Sequence, residues 1–88
     1  MLKDFRAKLL MFLAQQGIHV PLENITSTEE NRVIVFLGQL PFVTMEKLSR
    51  WAGIKEMYIS VCSHHVQPYV FRVEFVLDPP YLRGLKNV

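Results

Sequence analysis

The amino-acid sequence predicts an α+β domain in which two helices pack on one face of a roughly four-stranded antiparallel sheet, in the order αββαββ. Three observations carry the prediction. Two stretches place apolar residues at helical spacing, and each closes on a Gly-Ile pair, Gly17-Ile18 and Gly53-Ile54. Each is followed by two runs of β-branched and aromatic residues split by polar turn residues. The two Gly-Ile pairs stand 36 positions apart, and the same offset lays Leu9 on Met45, Phe12 on Leu48 and residues 33–37 on 69–73, the pattern of a degenerate αββ repeat.

In the first half, Leu2, Phe5, Leu9, Phe12 and Leu13 share a helical face while Lys3, Asp4, Arg6 and Lys8 fall elsewhere. That spacing predicts an amphipathic helix over 2–16 with Gly17 at its C-terminal cap. Leu10 and Met11 widen the apolar stripe, so the helix is expected to be covered on two sides. Pro21 removes a donor, and "ENITSTEEN" joins a β-prone Ile-Thr to a polar cluster suited to a turn at 28–31, which places a short strand around 22–27. "RVIVFLG", 32–38, is a continuous apolar run between turn signals and reads as a buried central strand.

In the second half, "PFVTMEKLSRWAG" reads as a helix with Thr44 as cap and Val43 stapled onto Leu48. Met45, Leu48, Trp51 and Ala52 face the core, and Gly53 ends it. Met57, Ile59 and Val61 then alternate as a strand. After a turn at Val66-Gln67-Pro68, Tyr69, Phe71, Val73, Phe75 and Leu77 alternate with Val70, Arg72, Glu74 and Val76, the strongest strand signal in the chain. Asp78-Pro79-Pro80 stops it, and 79–88 is expected to be a C-terminal tail that docks loosely through Tyr81, Leu82 and Leu85 or frays.

One stretch fits two periods. Ile54, Met57, Tyr58, Val61, Cys62 and His65 also lie at helical spacing, and a helix over 54–64 would give a winged-helix-like domain with 55–64 as recognition helix and the next strand as wing. The strand-forming residues of "YISVCSHH", and the need of the 69–77 strand for a neighbour, favour extended chain.

The bulk numbers bound the function. A chain of 88 residues, half of them apolar and a fifth charged, is expected to fold as a single domain spanning 1–88 and to keep some apolar surface outside. Ten Lys and Arg against eight Asp and Glu leave a formal charge of +2 without a polybasic tract, so nucleic acid is weakly supported as a partner. The apolar run at 9–14 is too short for a membrane span and no cleavage pattern follows it, which points to a cytoplasmic protein with no membrane partner.

Cys62, His64 and His65 are the one cluster that invites chemistry. Zinc needs three or four converging ligands, and a catalytic thiolate needs a base oriented by a third group. Only the distant His19 is left to add to them, no paired-cysteine spacing exists, and no Gly-rich anion loop appears. No catalytic residue, metal site or cofactor is therefore expected. The expected surface is instead the sheet face opposite the helices, where Tyr58, Ser60, Cys62, Val70, Arg72, Glu74 and Val76 mix apolar and polar groups as protein contacts do. The leading expectation is a non-enzymatic interaction module that dimerises with its own copy through a sheet face or edge. The alternative, a winged-helix nucleic-acid binder using 44–64, would contact phosphates through Lys47, Arg50 and Lys55.

Overall fold

The computed structural model describes residues 2–29, 31–64 and 67–78. The elements follow the expected order: α1 (Leu2–Gln15), β1 (Ile25–Glu29), β2 (Arg32–Leu37), α2 (Phe42–Ser49), β3 (Ile54–His64) and β4 (Gln67–Leu77), with one 3-10 turn at Leu22–Asn24. All strands lie in one antiparallel sheet of order β1-β2-β4-β3. The two hairpins therefore meet through β2 and β4, and among the described residues β1 and β3 are the edges.

The core lies between the helices and one sheet face. Phe5, Leu9 and Leu13 of α1, four residues apart, meet Leu48 of α2 over Val33, Val35, Leu37, Val73, Phe75 and Leu77, all 2% exposed or less. Each such side chain contributes about 1.5–3 kcal/mol by leaving water, so this layer dominates the fold. Trp51, just beyond α2, stands edge-on to Phe5 and Phe12 with ring centres 5.9 and 5.2 Å away, and Phe5 reaches Phe75 at 5.4 Å. The indole thus joins the two helices. α1 ends because Gly17 takes a φ of 80°, which lets its N–H bond Ala14 and the N–H of Ile18 bond Leu13 at 2.8 Å, closing the last carbonyls.

The 36-residue offset reappears in the strand register. Adding 36 to the β1–β2 pairs Ile25↔Val35 and Thr26↔Ile34 gives Val61↔Phe71 and Cys62↔Val70, both of them pairs of the β3–β4 hairpin. Phe36 faces Arg72, its own counterpart, in the β2–β4 pairing. Gly17 and Gly53 both adopt positive φ behind their helices. The strand order and these registers are the pattern of two αββ units related by a local two-fold between β2 and β4.

Several local expectations are corrected. Residues 54–64 are strand, paired with β4 from Ile54↔Leu77 to His64↔Gln67, so the winged-helix arrangement with a helix there does not form. The first strand begins at Ile25 because Leu22–Asn24 coil into a 3-10 turn after Pro21. α2 starts two residues before Thr44: Pro41, with φ already at −61°, offers its carbonyl to the Met45 N–H at 3.0 Å. Thr44 is therefore inside the helix and buried, its hydroxyl donating to Gln16 Oε1 at 3.4 Å, while Val43 is exposed and staples nothing. α2 stops at Ser49, which leaves Ala52 exposed. In α1, Leu10 packs against the core but Met11 is exposed, so its second side stays uncovered. β4 already includes Gln67 and Pro68, whereas His65, Val66 and the tail 79–88, with Tyr81, Leu82 and Leu85, lie outside the described residues.

Candidate interaction surface

The sheet face away from the helices carries the residues singled out in the sequence. Cross-strand pairs put Tyr58 beside Glu74, Ser60 beside Arg72 and Cys62 beside Val70, so they do share one face. It is narrower than expected as a contact surface. Val70 and Val76 are buried, together with Ile34 of β2. Tyr58 and Ser60, on the edge strand, are exposed, and Cys62 is half-buried.

At the centre of this face Glu74 sits between two guanidiniums. Arg32 Nη1 donates to Glu74 Oε2, and Arg72 Nη1 lies 3.1 Å from Oε1, with the carboxylate side chain only 12% exposed. The hydrogen bond from Arg32 holds the Glu74 carboxyl below its ordinary range; burial opposes this and Arg72 reinforces it. The trio is a structural clasp across β2 and β4. It is less solvated than the outward Arg-Glu pair that strand alternation alone suggests.

Among the described residues, the open part is β3. Among the described residues it pairs with β4 alone along its 11 residues, so its other margin presents backbone donors and acceptors outward. Val61 is 62% exposed, Tyr58 50% and Ile59 36%, and no charged residue occurs from 57 to 63. Tyr58 also donates its hydroxyl to Glu56 along the same strand. The opposite edge is different. β1 has five residues, "ITSTE", and its register breaks between Ser27 and Glu29, the features that protect an edge from pairing.

Ile59 and Val61 are the surface residues that sequence alternation alone misses, because they lie on the core side of the sheet. Their exposure follows from length. A helix of eight residues spans about 12 Å, whereas a strand of 11 spans about 36 Å, so α2 cannot roof the outer half of β3. That mismatch was the available signal.

The remaining candidates stay apart. Lys47 and Arg50 are exposed on and just after α2, Arg50 lying 3.6 Å from Glu46, and Lys55 is exposed at the start of β3. With no helix at 55–64 they have no recognition element between them. Among the described residues no group of three His, Cys, Asp or Glu is placed to hold a metal ion, and no helix is long and apolar enough to cross a membrane. Compared with protein-family models, with curated proteins and with solved structures, the chain has no significant match.

Proposed function

We propose that this chain is a non-enzymatic, cytoplasmic interaction module that works as a homodimer joined along the β3 edge. One observation carries it: a long edge strand, free of charge from 57 to 63 and with exposed Tyr58, Ile59 and Val61, beside a second edge that is short, polar and irregular in register. An unprotected edge of this kind completes itself with another strand, and a second copy always supplies one in equal concentration. Cys62, the lone and half-buried thiol, suits a reducing compartment.

Sedimentation equilibrium from low to high micromolar chain concentration tests it. The expected outcome is a mass of two chains, with no retention on duplex DNA. A mass of one chain throughout rejects dimerisation. DNA binding that weakens steeply with salt would transfer the assignment to Lys47, Arg50 and Lys55, since each phosphate contact adds about −0.9 to the logarithmic salt slope.

A further inference from the structure

Resting on that homodimer, we propose that β3 pairs with β3 of a second copy about a two-fold axis through Ser60, fusing two four-stranded sheets into one. A two-fold normal to a sheet keeps each face on its own side, so opposed residues must share a face, and one residue must stand opposite its own copy. Within the exposed, uncharged stretch the candidates for that residue are Ile59, Ser60 and Val61.

Side-chain matching separates the three. With Ser60 on the axis, Ile59 stands opposite the partner's Val61 and Val61 opposite the partner's Ile59, so the two exposed aliphatics on the helix side cover each other twice. On the other face, Tyr58 stands opposite the partner's Cys62. Small serine side chains meet at the crowded axis itself. With Ile59 on the axis, the carboxylate residue Glu56 is set against the partner's Cys62 and Tyr58 against the partner's Ser60. With Val61 on the axis, Ile59 is spent on the partner's Ser63. The Ser60 register sets Met57 against the partner's Ser63, and the Ile59 register matches Ile59 with its own copy and Met57 with the partner's Val61, but only the Ser60 register pairs apolar with apolar on both faces.

The register also continues the core. Ile25, Val35, Val73 and Ile59 form one row across the sheet, and Leu37, Phe71 and Val61 form the next. Across a Ser60 axis, the first row runs into the second row of the partner. The apolar layer under the helices then passes unbroken from one chain to the other. Lys55 and Glu56, the charged residues of β3, fall outside this central contact.

Cysteine scanning reads the register directly. In a Cys62→Ser background, Ser60→Cys, Ile59→Cys and Val61→Cys are each oxidised with glutathione disulfide, singly and in pairs, alongside the unaltered chain. Directly opposed residues of an antiparallel pair have Cα atoms about 4.5–5.5 Å apart, inside the span a disulfide needs. Ser60→Cys alone is expected to give most of the chain as a linked dimer. Ile59→Cys and Val61→Cys are expected to link only when mixed, and the unaltered chain to stay unlinked because Cys62 faces Tyr58. Self-linking of Ile59→Cys, of Val61→Cys or of Cys62 in a chain that still sediments as a dimer overturns the register and leaves the dimer standing. A single-chain mass for every variant overturns the dimer itself.

Discussion

Glu74 shows how one residue ties charge to stability. Its Cα partner on β2 is Ile34, so Arg32 reaches it diagonally across the strand pair while Arg72 reaches it along β4. The folded carboxyl titrates below its ordinary value of 4.5, which fixes the sign of the pH dependence. The clasp contributes in full above about pH 4.5 and is lost as pH falls through the depressed folded value. Glu74→Gln removes the ionised acceptor and leaves Arg32 and Arg72 facing one another. The expected cost at pH 7 is about 1.5–3 kcal/mol, the range for hydrogen bonds to charged groups. Urea unfolding of both proteins at a series of pH values checks this: the gap should be constant above pH 5 and close in stronger acid. A gap that persists unchanged into acid would mean the carboxylate charge is not what the arginines hold.

Among the elements, β3 decides both the fold and the surface, and it shows what was legible in the sequence. Alternation at Met57, Ile59 and Val61, together with residues that favour strands, was enough against the competing helical period. The helix starts were less legible. Thr44 is a good cap by type, but Pro41 three residues earlier already holds the φ a helix needs, and the buried Thr44 instead touches Gln16, just past the end of α1. Burial on the outer face was not legible at all, because period-two alternation gives Ile34, Val70 and Val76 the same signal as wetted residues. The exposed half of β3 leads to a test at this scale. Val61→Lys places a charge where the dimer would be apolar, and is expected to weaken dimerisation at least tenfold. Because Val61 is mostly exposed, unfolding of the single chain should change by no more than about 0.5 kcal/mol. Lysine at Val73, fully buried in the adjoining strand, should prevent folding instead. Unchanged dimer affinity in Val61→Lys would remove β3 from the interface.

At the scale of the whole molecule, the two αββ units share one core and neither owns it. Phe5, Leu9 and Leu13 from the first cover Val73, Phe75 and Leu77 from the second, and the six β2–β4 pairs run between the units. Pieces cut in the connection at 38–40 would hold roughly 40 and 50 residues, near the size below which a chain rarely folds unaided. Each would also expose half of the shared apolar layer. The expected outcome is that neither piece alone gives a cooperative unfolding transition, and that mixing them in equal amounts restores one. Trp51 reports the assembly, since it belongs to the second piece while Phe5, Phe12 and the Lys8 ammonium, 4.7 Å from the indole centre, belong to the first. Its fluorescence should shift to the blue on mixing and saturate at one to one. The local two-fold makes a rival outcome physically available, because the second piece could pair β4 with its own copy as it pairs with β2. Such a self-paired piece would be compact but would leave Trp51 without Phe5 and Phe12. A blue-shifted Trp51 in the second piece alone would therefore show that the units fold independently, and that the shared core is not what holds them together.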